Sequence, residues 1–171
     1  MKNILNQKIL LVDDQPGSLF ALETVLKPFE VEIYKASSGD EALALTLKHS
    51  FAVVLLDVQM PIMDGFETAA FIRENDETKN VPIIFVTAIN QDDEFVFKGY
   101  EAGAVDYLFK PINPVILKTK VDLFLRLDRQ QILLKTEIDE RKWAQRELKR
   151  LADFPEKNAH TVLEYDFETG V

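Results

Sequence analysis

Five polar side chains each follow a short apolar run in the sequence, and together they could carry out phosphoryl chemistry. In chain order they are Asp13, Asp14, Asp57, Thr87 and Lys110. Three carboxylates in one crevice repel each other and raise each other's pKa values unless a cation lies among them. Carboxylate oxygens suit Mg²⁺, while a lysine and a threonine hydroxyl can contact phosphoryl oxygens. A carboxylate nucleophile, a metal ion and two electrophilic partners are the groups that phosphoryl transfer onto an aspartate needs.

Short strands and helices must bring these five side chains together. Short β-type runs predict five strands, over residues 9–12, 31–36, 52–56, 83–86 and 105–109. Helical patterns follow them and begin near residues 16, 38, 65, 92 and 114. This alternation with short connections predicts a doubly wound α/β sheet with helices on both faces. Ligands bind such sheets beyond the carboxyl ends of the strands, which is where the five polar side chains stand.

Two local patterns predict how helices begin. Ser38 and Glu41 have the spacing of a capping box, in which each side chain satisfies a free amide of the other residue. Asp64 and Gly65 are expected to shape a loop and to start the next helix. These residues are therefore assigned structural roles.

The composition excludes several other kinds of chemistry. The chain has 171 residues, no cysteine, and two histidines, His49 and His160, that are far apart in sequence. Thiol catalysis, disulfides and zinc sites therefore have little support. The net charge of −9 argues against binding to a nucleic-acid backbone, which requires an excess of lysine and arginine. No apolar run approaches the roughly 20 residues needed to cross a bilayer, so we expect a cytoplasmic protein with no membrane partner.

Four motifs resemble the receiver domain of two-component response regulators, the CheY-like family. They are ILLVDD at 9–14, LLDVQMPIMDG at 55–65, VTA at 86–88 and GAVDYLFKP at 103–111. Their order, spacing and strand context agree with this family from residue 6 to about residue 125. The resemblance implies a five-stranded parallel sheet of order 2-1-3-4-5, as in flavodoxin-like folds. It also implies that Asp57 accepts a phosphoryl group from a cognate histidine kinase or phosphotransfer protein.

The resemblance further implies a metal site around the acceptor. Asp14 and Asp57 would ligate Mg²⁺ together with the backbone carbonyl of Gln59, and Asp13 would hold the metal through water. A domain of this kind catalyses its own phosphorylation and dephosphorylation. No separate enzymatic domain is recognisable in these residues.

A switch is also implied by the resemblance. Thr87 and Tyr107 would form the switch pair, in which the hydroxyl moves toward the phosphoryl group and the aromatic ring rotates inward. Lys110 would contact the phosphoryl group, and the Lys110–Pro111 bond would be cis, which only a following proline makes plausible. Tyr107 in a strand next to Phe109 is also compatible with simple core packing.

Three rival functions compete with the receiver interpretation. Phosphatases with an aspartate nucleophile resemble it, but they carry a second aspartate as the general acid, and Gln59 stands at that position. No glycine-rich phosphate loop follows the first strand, which argues against nucleotide hydrolysis. A receiver-like scaffold that works without phosphorylation is the other alternative. Its hallmark would be a missing aspartate, threonine or lysine, and none is missing.

The residues after the receiver motifs predict a helical linker to a further domain of a longer chain. We expect three parts: a receiver domain at 1–125, a helical linker at 126–152, and at 153–171 the beginning of a PAS-like domain. The helix from Pro114 continues without glycine or proline through Leu151 and has approximate coiled-coil spacing, which Gln131, Arg141 and Gln145 interrupt. A homodimer through this helix is one hypothesis, and a solvated single helix is the alternative. The downstream domain of the parent chain is a further expected partner, and that parent could be a histidine kinase or a diguanylate cyclase.

Overall fold

The protein is described by a computed structural model that covers residues 6–88 and 106–153. The strands are β1 (Lys8–Val12), β2 (Glu32–Ala36), β3 (Val53–Asp57), β4 (Ile83–Thr87) and β5 (Asp106–Phe109). The helices are α1 (Pro16–Leu26), a short 3-10 turn (Lys27–Phe29), α2 (Gly39–Lys48), α3 (Gly65–Glu74) and the C-terminal helix (Pro114–Ala152). The helix predicted from residue 92, strand residue Val105 and the PAS-like segment from Phe154 onward lie outside the described residues.

The five strands form one parallel sheet in the order β2-β1-β3-β4-β5. This result confirms the predicted fold class and strand order. The strands pair in simple register, with Leu11 beside Leu55 and Leu55 beside Ile84. Every residue of β3 is buried, as expected for a central strand covered on both faces, and this explains its continuous apolar sequence.

The core consists of two buried layers, one on each face of the sheet. One layer joins the sheet to α2 and α3 through Ala42, Ala69 and Ile72. The other joins it to α1 and the start of the C-terminal helix through Leu22 and Leu117. Successive residues of β1 alternate between the two layers. Because both faces are filled, the polar side chains of the central strands can gather only at the strand ends.

The start of α2 differs from the sequence prediction in one respect, whereas α3 begins at Gly65 with Asp64 as its cap, as predicted. Ser38 Oγ accepts a hydrogen bond from the Glu41 amide at 3.2 Å, but the Glu41 carboxylate accepts from the Ser37 amide at 2.7 Å. The predicted reciprocal capping box at Ser38 is therefore wrong in its second half, because Glu41 reaches one residue further back. A complete capping box instead starts α3, where Asp64 and Glu67 each accept from the other's amide at 2.8 and 3.0 Å.

The C-terminal helix has 39 residues, and its first turns belong to the core. Leu117, Val121 and Leu125 are buried. The chain divides into two compact units, Met1–Arg129 and Gln130–Val171, and the sheet lies in the first. Among the described residues, no helix is both long and apolar enough to span a bilayer.

Gln7 lies just before β1, at the end of the sheet opposite the carboxyl ends of the strands. Its side chain binds the C-terminal helix there. Its side chain is 2% exposed, and Nε2 donates to the Leu125 carbonyl at 2.7 Å and to the Asp128 carboxylate at 2.8 Å. Oε1 accepts from the Arg129 guanidinium at 3.4 Å. All of the hydrogen-bonding groups of this buried amide are therefore used, and all of them go to one turn of the helix.

Candidate functional site

Three carboxylates meet where β1 and β3 end. Asp13 is 1% exposed and Asp57 is 3% exposed, while Asp14 is partly buried. These strands are neighbours, and the pairing of Val12 with Leu56 brings the residues that follow them side by side. One oxygen from each of the three carboxylates lies within 4.8 Å of the others. The structure therefore brings together the acidic cluster that the sequence predicts.

Lys110 bridges two of these carboxylates. Its Nζ lies 3.0 Å from Asp13 Oδ2 and 3.2 Å from Asp57 Oδ1. Its backbone amide donates to the Thr87 carbonyl at 2.8 Å, which holds the lysine beside the end of β4. The Lys110–Pro111 peptide bond is cis, as the family resemblance implies.

The environment at this edge of the sheet shifts the pKa values of Asp57 and Lys110. Burial raises the pKa of the Asp57 carboxyl above its usual value, and the neighbouring Asp13 and Asp14 carboxylates add to the rise, while Lys110 opposes it. Burial acts to lower the pKa of Lys110, but its hydrogen bonds and attraction to Asp13 and Asp57 outweigh burial and raise that pKa. The lysine is therefore firmly charged, and the Asp57 carboxylate lacks full compensation for its negative charge.

One carboxylate oxygen in the cluster has no hydrogen-bond donor. Asp14 Oδ1 is buried, and no group of the described residues donates to it. By contrast, Asp13 Oδ1 accepts from the Gln15 amide at 2.8 Å. A buried carboxylate oxygen without a partner is costly, and a hard cation among three carboxylates would satisfy it. The donor set therefore fits a divalent metal such as Mg²⁺, with only oxygen ligands.

The loop between β3 and α3 approaches the acceptor strand closely at Gly65. The Gly65 amide donates to the Val58 carbonyl at 2.9 Å. A Cβ atom on Gly65 would lie 2.3 Å from the Asp57 carbonyl oxygen and 2.9 Å from Val58 Cα. Because these neighbours are backbone atoms, only glycine lets the loop close against the end of β3. Gln59 is exposed in the same loop, two residues after Asp57.

Ile62 at the tip of this loop has a strained backbone. Its φ is 72°, a region that β-branched residues rarely adopt. The Met63 amide donates to the Pro61 carbonyl at 2.9 Å and closes a three-residue turn around it. The Ile62 side chain is completely exposed. Nothing in the sequence marked this residue, since the local pattern predicts only a loop.

The two residues of the implied switch lie on neighbouring strands. Thr87 ends β4 and is 4% exposed. Tyr107 on β5 is 9% exposed, and its ring packs on Phe85 with centroids 5.6 Å apart. It also stacks near Phe109 at 6.4 Å. The ring is thus directed into the core in this structure, in the position that the packing interpretation also predicts.

A cavity of about 310 Å³ adjoins the site on the side of α1. Asp13, Ser18 and Lys110 supply its polar lining, and apolar side chains of α1 and of the segment after Lys110 supply the rest. An apolar surface therefore lies directly beside the charged cluster.

Comparison with known proteins agrees with this geometry. The family model for the response regulator receiver domain matches residues 9–122. A "Probable cyclic di-GMP phosphodiesterase" of Vibrio cholerae serotype O1 is 36% identical over 140 residues, which cover 81% of this chain and 31% of the relative. The transcriptional regulatory protein SrrA of Staphylococcus aureus is 38% identical over 118 residues, which cover 68% of this chain and 47% of the relative.

A solved structure is similar as well. The chemotaxis response regulator CheY4 of Vibrio cholerae superposes with a TM-score of 0.64 at 33% identity, over 69% of this chain and 98% of that one. The chain spans only 31% and 47% of the lengths of the two curated relatives. The fold, the acidic edge of the sheet and the match over residues 9–122 agree, and the chain belongs to the response regulator receiver domain family.

Proposed function

We propose that Asp57 accepts a phosphoryl group from a histidine kinase or phosphotransfer protein, and that the C-terminal helix relays this change to a downstream module. One observation carries the proposal. The Lys110 ammonium joins buried Asp13 to buried Asp57, beside a buried Asp14 oxygen that lacks a donor. This arrangement combines a nucleophile, an electrophilic cation and a set of oxygen ligands that fits a divalent metal in one crevice.

The proposed chemistry follows from the groups around Asp57. A carboxylate oxygen of Asp57 attacks the phosphorus of a phosphohistidine, an O–P bond forms, and the P–N bond breaks with the electron pair leaving on the imidazole. Lys110 is already in contact with Asp57 and stabilises the negative charge on the phosphoryl oxygens. Thr87, at the end of the neighbouring strand, donates its hydroxyl to another of these oxygens.

Mg²⁺ fits the acidic cluster and would be held by Asp14 and Asp57 with the backbone carbonyl of Gln59, and by Asp13 through water. Such an ion neutralises charge on the phosphoryl oxygens and relieves the repulsion among the carboxylates. The chain's own contribution is to keep Asp13 oriented through the Gln15 amide and to keep the site closed around Gly65.

The relay begins with the added charge. A phosphoryl group brings up to about two negative charges to the end of β3. In the proposed switch, Thr87 moves toward this charge and Tyr107 adjusts behind it, which changes the surface near β4 and β5. The downstream module is expected to begin after the helical linker, at residues 153–171, and to resemble a PAS domain. A cytoplasmic location also remains a prediction.

Docking of the phosphate donor is proposed on the α1 side of the site. The cavity there brings apolar lining up to Asp13 and Lys110. Such a surface suits a helical partner that presents a histidine to Asp57.

The test is an intact-mass measurement after incubation with acetyl phosphate and Mg²⁺. The wild-type chain is expected to gain one phosphoryl group, and Asp57→Asn is expected to gain none. Asp40→Asn is the matched control, because Asp40 is an exposed aspartate in the first turn of α2. Chelation of the metal should abolish the gain in wild type. No added phosphoryl mass in wild type, or undiminished addition in Asp57→Asn, would instead favour the phosphorylation-independent scaffold.

A further inference from the structure

The C-terminal helix beyond residue 130 carries large apolar side chains that are exposed and do not pack in the described core. Leu134, Ile138 and Leu148 are 59%, 50% and 68% exposed. They belong to a row in which residues recur at alternating steps of three and four, the spacing of the two core positions of a heptad. This row, called the seam below, consists of Gln131, Leu134, Ile138, Arg141, Gln145, Leu148 and Ala152.

The charges beside the seam are arranged unequally. One flank of the seam is formed by residue 135 and the residues that follow it at intervals of seven. All of these are lysines, namely Lys135, Lys142 and Lys149. On the other flank the charged residue is Glu137. In a parallel pair of helices each flank meets the opposite flank of the partner five residues further on, so Glu137 would face Lys142 of the second copy. In an antiparallel pair the lysine row would face its own copy and repel it.

We propose that residues 131–152 pair with the same stretch of a second copy, in parallel and in register. The proposal deepens the relay part of the proposed function, since it names the partner of the C-terminal helix. A second copy fits because Glu137 on one flank would face Lys142 on the other, twice in each pair. Lys135 and Lys149 would face the uncharged Gln130 and Ala144, so neither meets a like charge.

The polar members of the seam favour one register and limit the strength of the pair. In register, Gln131 and Gln145 each meet their own copy, where their amides can hydrogen-bond across the pair. A shift by one heptad would place Gln145 opposite Ile138 and leave the amide without a partner. Arg141 also meets its own copy, and its ion pair with Glu137 of the same helix, at 2.7 Å, offsets part of that repulsion. The pairing is consequently weak and reversible.

Cysteine crosslinking tests the orientation, because the chain has no cysteine of its own. Leu134→Cys and Leu148→Cys in the full chain are expected to form covalent homodimers under mild oxidation. Leu133→Cys is the matched control, since Leu133 is the neighbouring leucine, is 56% exposed and lies off the seam. It should crosslink several-fold more slowly. Equal rates at Leu133 and Leu134 would overturn the proposal.

A mixture of the two cysteine variants separates parallel from antiparallel pairing. In the parallel pair the two positions are 14 residues apart along the helix, roughly 21 Å, so the mixed disulfide should be rare. Dominance of the mixed product would show an antiparallel pair and refute the proposed orientation.

Charge reversal tests the flanks. Glu137→Lys alone and Lys142→Glu alone should each raise the dimer dissociation constant about five- to tenfold, because attraction becomes repulsion at two equivalent sites. The double reversal restores the contact between copies and should recover most of the affinity in sedimentation. It does not restore the pair between Glu137 and Arg141, so recovery cannot come from the single helix. Failure of the double reversal to recover affinity would overturn the proposed pairing.

The crosslinking is measured with and without acetyl phosphate and Mg²⁺, in chains with Asp57 and with Asp57→Asn. Seam-specific crosslinks without phosphoryl mass would support the pairing and refute the proposed phosphorylation. Phosphoryl mass without seam-specific crosslinks in either state would refute the pairing and leave the proposed phosphorylation intact.

Discussion

Replacing Asp57 by asparagine is expected to make the receiver domain more stable in the absence of metal. The substitution keeps the size of a side chain that is 3% exposed and removes its charge. The charge is unfavourable in the folded state because burial raises the pKa of Asp57, and two neighbouring carboxylates add to that rise. Functional sites often hold such conflicts at the expense of stability.

The size of the gain follows from the causes of the raised pKa of Asp57. Burial is the largest cause, and the attraction of Lys110, whose Nζ lies 3.2 Å from Asp57, exceeds the repulsion from either Asp13 or Asp14. The net rise therefore comes from taking the carboxylate out of water, a cost that asparagine avoids while Lys110 keeps its contact with Asp13. Removing this buried charge is expected to stabilise the fold by about 1–2 kcal/mol.

The assay is urea unfolding in the presence of a chelator, followed by far-UV circular dichroism. The single tryptophan, Trp143, is 68% exposed on the C-terminal helix and would report poorly on the sheet. With a slope of roughly 2 kcal/mol per molar urea, the midpoint of Asp57→Asn should lie about 0.5–1 M above wild type at neutral pH. Asp40→Asn, an exposed control, should differ from wild type by less than about 0.5 kcal/mol.

The pH dependence of this difference follows from the sign of the shift. A carboxyl whose pKa is raised in the folded state binds a proton more readily there than in the unfolded chain. As pH falls toward that raised pKa, protonation removes the unfavourable buried charge in wild type, while the asparagine variant has no such group. The advantage of Asp57→Asn should therefore shrink as the solution is acidified. A variant that is less stable than wild type at neutral pH, or a gain that persists unchanged in acid, would refute the electrostatic reasoning.

Three further substitutions test other parts of the structure. Gln7→Leu should lower the unfolding free energy by about 1–2 kcal/mol, because it removes the bond to the Leu125 carbonyl, and phosphoryl uptake should be unchanged in the mass assay. Ile62→Gly should stabilise the chain by about 0.5–1 kcal/mol in urea unfolding, since it relieves a positive φ and loses no buried surface; a loss of stability would contradict the strain. Gly65→Ala should cost about 1–3 kcal/mol and slow phosphoryl uptake, because its Cβ would press on the Asp57 carbonyl; an unchanged urea midpoint would exclude that close approach.

The fold and the carboxyl-end cluster could be predicted from the sequence because each depends on a repeated local signal. Short β-type runs of four to six residues predict the strands to within one residue, and Asp13, Asp57, Thr87 and Lys110 each come directly after such a run. Parallel strands then bring Asp13 and Asp57 to one edge, as the pairing of β1 with β3 shows. Strand boundaries such as Thr87, which lies inside β4 rather than after it, shifted slightly because pairing with β5 extends the strand.

Other features depend on contacts between distant residues, and local patterns did not reveal them. Gln7 is a polar residue at an undistinguished position, yet it contacts Leu125, 118 residues away. Spacing alone predicts a reciprocal capping box at Ser38, but the Ser37 amide donates to the Glu41 carboxylate instead. The positive φ of Ile62 belongs to the turn that the Met63 amide closes on the Pro61 carbonyl, and the identity of the Ile62 side chain does not predict it. The contacts of these residues could be identified only from the tertiary structure.

The two ends of β1 constrain how a change at Asp57 can reach the C-terminal helix. At one end Asp13 holds Lys110, and at the other end Gln7 holds the helix at Leu125. The strand between them is buried and paired on both sides, so it cannot slide without breaking the sheet. Gln7 therefore fixes the helix near its exit from the core. Lys110, by contrast, lies only a few residues before the helix begins at Pro114, and it contacts the acceptor directly. We expect a phosphoryl group on Asp57 to act on the helix through Lys110 and the segment after it, with the Gln7 contact as the fixed point.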